Sequence, residues 1–352
     1  MQPGVSKTRV AYAGLLVLMA CSSVYVAMSI NNVSRTCTMA KSGPGTVNVT
    51  PSTEEFKQNM NNESDDRRSV VFYIYFERDD FYARTLSFFL NVGVRESDPV
   101  DYVFIVQGDK CSIDIPRYSN VQVVRRPNTC YDFGALGWTL EHLGGLSQLE
   151  KRYESVLVFN PSAVGPILPK YWPASVHWSE IFTSRLVDGV GLVGTSLVCV
   201  GPNEFGEYGP KIEGMAWAAN FLVLRAAHER GVFRCFTNKL DVVRDGEYGL
   251  GRAALSAGAN LDSLLLQYGP RDWRDKKNWD CNSHLHPSRH GTYGPGLSIH
   301  PLEVVFHKPI WRVDNRVISE VFPAETKAYM EWALQRVPPS NSSRLNVSHV
   351  AA

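Results

Sequence analysis

The run SVVFYIYF at residues 69–76 constrains the fold more than any other stretch of the chain. It is apolar at nearly every position and rich in β-branched and aromatic residues, which is typical of a fully buried strand. Further strands are predicted at VDYVFIVQG (100–108), NVQVVRRP (120–127) and SVLVFN (155–160), the last of them ended by Pro161. The chain therefore begins its folded part with several buried strands.

Helices are predicted between these strands. Asp79 or Asp80 caps one that runs through Phe89, and another covers about 133–142 with Asp132 as its N-cap. The later predicted elements are helices near 175–187, 225–231 and 247–257 and strands near 190–198 and 216–224. Strands separated by helices indicate an α/β fold with a mainly parallel sheet. In such sheets ligands bind beyond the carboxyl ends of the strands, so residues that follow strands carry the functional information.

The amino-terminal segment predicts a membrane anchor. Residues 10–30 are mostly apolar and carry no charge, and about 20 such residues in a helix span the hydrocarbon core of a membrane. Lys7 and Arg9 precede the span, so the positive-inside rule predicts a cytoplasmic tail at 1–9 and a non-cytosolic location for the rest. The alternative is a signal peptide that is cleaved near 27–29.

Polar segments flank the predicted domain at 69–337. Residues 31–68 form a stem of Asn, Ser, Thr and charged residues that buries too little apolar surface to fold, and 338–352 form a tail of the same kind. Sequons for N-glycosylation occur only in these flanks, with Asn32 too close to the membrane to be modified. The predicted glycosylation sites are Asn48, Asn62, Asn341 and Asn346. This pattern indicates the lumen of the secretory pathway.

Charge and missing motifs exclude several classes of function. The formal net charge of +1 argues against a protein that holds nucleic acid by bulk electrostatics. The sequence has no Gly-x-Ser-x-Gly, no Walker A loop and no His-Glu-x-x-His. A serine hydrolase, a P-loop kinase and a zincin are therefore disfavoured. A lumenal sulfotransferase is disfavoured as well, because no Lys-rich phosphate-binding loop follows the first strand.

Two candidate clusters follow the third and fourth predicted strands. Asn128, Asp132 and Gly134 lie where a strand ends and a helix starts, and free amides at a helix N-terminus attract phosphate. In the structural alternative Asp132 only caps the helix and Gly134 only permits close packing. Asn160 and Ser162 stand where many nucleotide-sugar enzymes have an Asp-x-Asp that holds Mn²⁺ or Mg²⁺. Neutral groups are poor ligands for hard cations, so either no metal is needed or another carboxylate serves.

Two further clusters lie later in the chain. Asp245 and Glu247 open a predicted helix, where one of them could deprotonate an acceptor hydroxyl; carboxylates also simply favour a first helical turn. His307 and Lys308 follow a predicted strand and are suited to neutralise a leaving diphosphate.

A third, weaker arrangement lies just upstream of His307. Its members are Cys281, His284, His286 and His290. Their spacing permits a zinc site, although a solvated loop is the favoured interpretation.

Six cysteines lie outside the predicted span, at 37, 111, 130, 199, 235 and 281. An oxidising lumen favours pairing, although the sequence leaves the connectivity open. We expect a bond between Cys111 and Cys130, which would brace the loops that flank the third strand. At least one of the five cysteines at 69–337 must remain free or bond to Cys37.

Several of these motifs resemble the rhamnan synthesis protein F family, whose members are regarded as glycosyltransferases. The similar stretches are RPNTCYDFGA (126–135), YESVLVFNPSAVGP (153–166) and LVGTS (192–196), with looser similarity near Glu247 and over 300–309. Membrane-anchored plant and algal proteins look similar over nearly all of 69–315. The resemblance implies a GT-A-like, Rossmann-like fold and a nucleotide-sugar donor.

The resemblance also implies roles for individual residues. Asn128 and Asp132 would belong to the donor pocket, and Asn160 with Ser162 would occupy the Asp-x-Asp position. Glu247 would be the carboxylate on the helix that faces the acceptor. The late segment that faces the diphosphate would contribute His307 and Lys308.

The leading hypothesis is a Golgi type II membrane glycosyltransferase that moves a sugar from a nucleotide-sugar donor to a glycan or glycoprotein acceptor. Its expected partners are the donor, the acceptor and, through one helix, the membrane, with no nucleic acid. Dependence on Mn²⁺ or Mg²⁺ is left open. The alternatives are a non-catalytic lumenal carbohydrate-binding or scaffold protein on a degenerate transferase fold and another lumenal group-transfer enzyme. Release of nucleotide from a sugar nucleotide distinguishes the glycosyltransferase from the carbohydrate-binding or scaffold protein.

Overall fold

The computed structural model describes residues 68–293, 296–313 and 316–336. The predicted tail at 1–9, the anchor at 10–30, nearly all of the stem, the polar tail at 338–352 and every predicted glycosylation site lie outside the described residues. Within the described ranges, no helix combines the length and the apolar character that crossing a membrane requires.

A seven-stranded sheet organises the domain. The strands of the chain are β1 (Arg68–Phe76), β2 (Val100–Gln107), β3 (Val121–Arg126), β4 (Tyr153–Phe159), β5 (Val190–Gly194), β6 (Leu197–Val200), β7 (Gly209–Ile212), β8 (Ala216–Asn220), β9 (Asn260–Ser263), β10 (Thr292–Tyr293), β11 (Leu297–Ser298), β12 (Ile310–Val313) and β13 (Arg316–Glu320). The large sheet has the order β3-β2-β1-β4-β8-β5-β9, and the other strands form the antiparallel pairs β6–β7, β10–β11 and β12–β13. Every pairing in the large sheet is parallel except those of β8 with β4 and β5. The predicted α/β fold with a mainly parallel sheet is confirmed.

The continuous apolar run of β1 is explained by its position between two hydrophobic cores. Val70 and Phe72 belong to one core, whereas Val71 and Tyr73 belong to the other. All four side chains are almost completely buried. Because successive side chains of a strand point to opposite faces, a strand covered on both faces must be apolar at every position.

Helices cover both faces of the sheet. They are α1 (Asp80–Gly93), α2 (Tyr131–His142), α3 (Leu146–Glu150), α4 (Glu180–Thr183), α5 (Phe221–Glu229), α6 (Lys239–Asp241), α7 (Tyr248–Ser256), α8 (Pro287–His290), α9 (Pro301–Val304) and α10 (Pro323–Leu334), with a π-helix at Val242–Glu247 and 3₁₀ turns at Leu266–Tyr268, Lys276–Asn278 and Cys281–His284. Leu86 of α1 packs into one core, and Leu136 of α2 and Leu250 of α7 pack into the other. Asp79 caps α1 by accepting a hydrogen bond from the Tyr82 N–H, as predicted.

Other predicted boundaries need correction. Asp132 is not the N-cap of α2, because the helix begins at Tyr131, two residues before the predicted start, and its cap is Cys130 in the left-handed conformation. The helix predicted near 175–187 is limited to α4, and the strand predicted at 216–224 ends at Asn220. The Asn220 side chain accepts a hydrogen bond from the Val223 N–H and so starts α5 where a continuous strand was predicted.

The predicted bond between Cys111 and Cys130 is wrong. Cys130 pairs with Cys235 and Cys199 pairs with Cys281, while Cys111 is a free thiol. The physical reason lies in α2, where Gly134 and Gly137 let the segment at 233–235 pack against the helix. A Cβ at Gly137 would lie only 2.1 Å from the Phe233 carbonyl oxygen.

Candidate functional site

A cleft of about 150 Å³ opens beyond the carboxyl ends of β1 and β4. Its lining combines Arg78, which comes just after β1, with Asn160, which follows β4 directly. Later segments complete it, with Lys239 on α6, Glu247 at the end of the π-helix and Lys308 before β12. This is the edge where open α/β sheets bind ligands.

Three polar residues are joined by hydrogen bonds and are here called the frame: Asn160 and Ser162, which line the cleft, and Asp132, which contacts Asn160. The Asn160 side-chain amide donates to Asp132 Oδ2 at 2.8 Å, and its Oδ1 accepts from the Ser162 N–H at 3.0 Å and from the Ser162 hydroxyl at 2.5 Å. The Asn160 main-chain N–H donates to the Met215 carbonyl at 3.1 Å. These contacts fix the Asn160 side chain in one orientation.

The environment of Asp132 sets its proton affinity. Burial raises the pKa of the carboxyl group, while the nearby Lys239 and the hydrogen bond from Asn160 act in the opposite direction. Glu247 adds a like charge that also raises the pKa. Asp132 therefore orients the Asn160 amide and adds negative charge to the same region as Glu247.

Glu247 is held by one of its two carboxylate oxygens. Oε1 accepts a hydrogen bond from the Gly214 N–H at 2.9 Å. In the described part of the chain, Oε2 has no hydrogen-bond partner. A Cβ at Gly214 would lie 2.9 Å from the Glu247 Cγ, so the absence of a side chain at Gly214 allows this close approach. The geometry leaves an oriented carboxylate with one oxygen available as a proton acceptor.

Three basic side chains line the same cleft and are here called the cation wall: Lys239, Lys308 and Arg312. Neither lysine forms an ion pair with any carboxylate of the described residues. The Lys308 ammonium lies 3.9 Å from the centre of the Trp311 ring, which is a favourable cation–π geometry. Burial lowers the pKa of Lys308, an effect that the charge of Glu247 opposes.

Two arginines share a single acid at the rim of the cleft. Arg312 Nη1 lies 2.8 Å from Asp79 Oδ2, and Arg78 Nε lies 3.3 Å from the same oxygen. The Arg78 guanidinium also lies 4.3 Å from the centre of the Tyr82 ring. The pair contributes more positive charge to the rim than Asp79 can neutralise.

Asp245 lies outside the cleft lining although it is close to Glu247 in sequence. It forms ion pairs with Arg244, Arg234 and Arg252 at 2.7, 2.6 and 3.8 Å. The hydrogen bond from Arg244 is the main reason why the pKa of Asp245 lies well below its ordinary range. A carboxylate with so low a proton affinity is a weak general base.

His307 and Lys308 face different surroundings despite being consecutive. His307 is almost completely buried, and its Nδ1 lies 2.7 Å from the Thr326 hydroxyl of α10. Burial lowers the pKa of His307 to about 4, so its imidazole is neutral near neutral pH. Lys308 alone of the two lines the cleft.

The structure thus gathers part of the predicted site. Asp132 and its partner Asn160 lie together with three other predicted residues, Ser162, Glu247 and Lys308. Asn128 lies instead beside Gly108, where an added Cβ would be 3.6 Å from the Asn128 Cβ, and Gly134 packs against the Arg234 carbonyl. The chemical roles of all these residues stay predictions.

Three basic residues of the cleft escaped the sequence analysis: Arg78, Lys239 and Arg312. Arg78 carried a usable signal, because it follows a buried strand almost directly. Lys239 and Arg312 belong to a short helix and a late hairpin, and no local pattern connects either segment to the cleft. The weaker zinc arrangement does not form: Cys281 is in a disulfide, and the described residues contain no group of three or more potential metal-binding side chains.

No protein-family model and no curated protein matches this chain. Among solved structures, the chain is similar to the mannosyltransferase PcManGT from Pyrobaculum calidifontis, determined in complex with GDP-Man and Mn²⁺. The TM-score is 0.34 and the sequence identity is 15%, over 85% of this chain and 82% of that chain.

Proposed function

We propose that this chain is a glycosyltransferase that moves a sugar from a nucleotide-diphosphate donor to an acceptor hydroxyl in the cleft. The observation that carries the proposal is one oriented carboxylate, Glu247, that lines the same cleft as the cation wall, beyond the carboxyl ends of parallel strands. Transfer of this kind needs a base for the acceptor and positive charge for the departing diphosphate. Both are present in one cleft.

The reaction assigns one task to Glu247 and another to the cation wall. Glu247 takes the proton of the acceptor hydroxyl while the acceptor oxygen forms a bond to the anomeric carbon. The bond between that carbon and the diphosphate oxygen breaks, and the electron pair leaves with the diphosphate. Lys308 lies on the cation wall, where its ammonium stabilises the added negative charge. A single base of this kind suits inversion at the anomeric carbon.

The cellular setting of the proposal rests on the sequence. The uncharged span at 10–30, the preceding Lys7 and Arg9 and the sequons in both flanks support a Golgi type II membrane protein with a lumenal catalytic domain. The acceptor is then a glycan or glycoprotein of the secretory pathway. The stretches at 126–135 and 153–166 support a place beside the rhamnan synthesis protein F family.

The proposal is tested by nucleotide release from the purified full-length chain. A panel of UDP- and GDP-sugars, with CMP-sugars as monophosphate controls, is incubated with a mixture of glycan acceptors, and free nucleotide and the anomeric configuration of the product are measured. We expect release from one nucleotide class, with an inverted product. A folded protein that binds glycan but neither binds nor hydrolyses any donor would overturn the proposal in favour of the carbohydrate-binding alternative.

A further inference from the structure

We infer that this cleft binds the diphosphate of its donor without a divalent cation, using the basic side chains Arg78, Lys239, Lys308 and Arg312. The inference rests on the proposed function and names the charge chemistry of its donor site. It also answers a question that the sequence leaves open, since Asn160 and Ser162 stand where related folds place metal-binding carboxylates.

The frame does not fit a metal ion. A cation beside Asn160 would need the lone pairs of Oδ1, which already accept hydrogen bonds from the main chain and the hydroxyl of Ser162. The Asn160 amide group is equally committed, because it donates to Asp132. Hard divalent cations prefer several carboxylate or water oxygens, and two neutral side chains held in this way do not supply them.

The nearest carboxylates do not replace the missing ligands. Asp132 is engaged through Oδ2 by Asn160, and Glu247 is engaged through Oε1 by the Gly214 N–H. Both acids also interact electrostatically with the Lys308 ammonium. A divalent cation between them would be repelled by the same lysine, because like charges in a partly desolvated site repel strongly.

The Lys308 side chain is held in place by packing against Trp311. Its ammonium lies over Trp311, whose indole N–H donates to the Ser288 carbonyl at 2.9 Å. The Ser288 hydroxyl donates at 2.6 Å to Glu213, a carboxylate that is only 1% exposed. This chain of contacts fixes the surface on which the ammonium lies, and the charge of Glu213 favours the protonated form of Lys308.

Lys239 is also held by its local structure. It begins α6, a short turn whose cap Asn238 accepts a hydrogen bond from the Asp241 N–H at 2.8 Å. The disulfide between Cys130 and Cys235 ties the preceding segment to the start of α2. Two lysines without ion-pair partners among the described residues therefore line one cleft. An anion with two adjacent charges, such as a diphosphate, would give each ammonium group a partner.

The test is calorimetric titration of UDP, GDP and CDP into the full-length chain, first in excess EDTA and then in Mn²⁺ or Mg²⁺. We expect one diphosphate to bind with a Kd in EDTA that lies within about threefold of its Kd with metal. Binding that needs the metal, with a Kd at least tenfold weaker in EDTA, would overturn this inference while leaving the proposed transfer intact. No binding in either buffer would overturn both.

Matched variants identify the groups responsible. Charge-assisted hydrogen bonds contribute about 1.5–3 kcal/mol, so Lys308→Gln and Lys239→Gln should each weaken the Kd in EDTA by roughly tenfold to a hundredfold. The control Lys151→Gln changes an exposed lysine at the end of α3 and should leave the Kd unchanged. Unchanged affinity in both cleft variants would overturn the inference.

A variant that adds carboxylates to the frame provides an independent test. Asn160→Asp combined with Ser162→Asp restores the carboxylates of a metal site. We expect it to weaken diphosphate binding in EDTA and to gain a response to Mn²⁺. If the double variant bound diphosphate in EDTA as well as the unchanged chain does, the frame would not govern the charge balance of the cleft and the inference would fail.

Discussion

The frame and the cation wall differ in how their polar groups are satisfied. In the frame, Asn160 uses its side-chain oxygen, its side-chain amide and its main-chain N–H in hydrogen bonds to neighbouring residues. On the cation wall, Lys239 and Lys308 have no carboxylate partner among the described residues. Lys308 is half-buried and Lys239 is exposed, and an unpaired charge is costly only to the extent that it is removed from water. The comparison teaches that a bound anion would give new partners to the lysines of the cation wall, whereas the frame is already satisfied by its own hydrogen bonds.

The largest expected effect comes from Glu247, the carboxylate that lines the cleft together with residues of both groups. Glu247→Gln keeps an oxygen that can accept from the Gly214 N–H but removes the base, so the transfer rate should fall by about 10²- to 10⁴-fold. Binding of the nucleotide should persist, because the cation wall is unchanged. Single-turnover transfer and calorimetric affinity measure the two effects separately. Full transfer activity in this variant would remove Glu247 from the mechanism.

A second variant removes the disulfide that joins the helix of Asp132 to the segment before Lys239. The disulfide between Cys130 and Cys235 joins the start of α2 to the segment that leads to Lys239 and closes a sequence separation of 105 residues. Replacing both cysteines by Ser should lower the free energy of unfolding by about 2–5 kcal/mol. Denaturant unfolding measures the loss. Cys111→Ser is the control, because this thiol is unpaired, and an equal loss there would show that the disulfide is not the cause.

A third prediction sharpens the contrast between the neighbours His307 and Lys308. The pKa of His307 is lowered from 6.5 to about 4 by burial, so the unfolded chain binds the proton more tightly than the folded chain. Stability should therefore fall as the pH falls from about 6.5 to 4, by about 3 kcal/mol in total for this group.

His307→Asn tests this pH dependence, because asparagine can still donate to Thr326 but does not titrate in this range. The variant should show a flatter dependence of the free energy of unfolding on pH between 4 and 6.5. His228→Asn, at an exposed position on α5, should keep the original slope. The same slope in all three proteins would contradict the assignment to His307.

The smallest effect is expected at Asp245. Its partners are partly exposed arginines, and ion pairs at such positions contribute about 1 kcal/mol or less. Asp245→Asn should lower the free energy of unfolding by no more than this and leave transfer unchanged. A loss of transfer as large as that of Glu247→Gln, with stability retained, would show that Asp245 belongs to the reacting groups.

The first half of the sheet was predictable from sequence because its strands are long and apolar throughout. β1 and β2 lie between covering helices, so burial leaves a continuous signal in the sequence. The later half gave weaker signals, since β5 and β9 have only five and four residues. There the side chain of Asn220 decides where a strand becomes a helix, and a single capping contact leaves little trace in a hydrophobic pattern.

The site shows the same division. Asn160, Ser162 and Asp132 were predictable: the first two follow β4 and Asp132 lies in the first turn of α2, and the parallel sheet places both segments at one edge. Lys239 and Arg312 were not, because their place in the cleft depends on tertiary contacts of the chain around them. The pairing of Cys130 was missed for a related reason, since it depends on the packing of residues 233–235 against the glycines of α2.

The reversed direction of β8 has a consequence for which substitutions the chain can tolerate. Because β8 runs against β4 and β5, the cleft edge receives the residues that enter this strand, Gly214 and Met215. The contact that orients Glu247 is therefore a main-chain amide, which side-chain changes at neighbouring positions leave in place. Position 214 itself is intolerant, because even one methyl group there would press on the Glu247 side chain. The orientation of the Glu247 carboxylate is thus preserved only in chains that keep glycine at position 214.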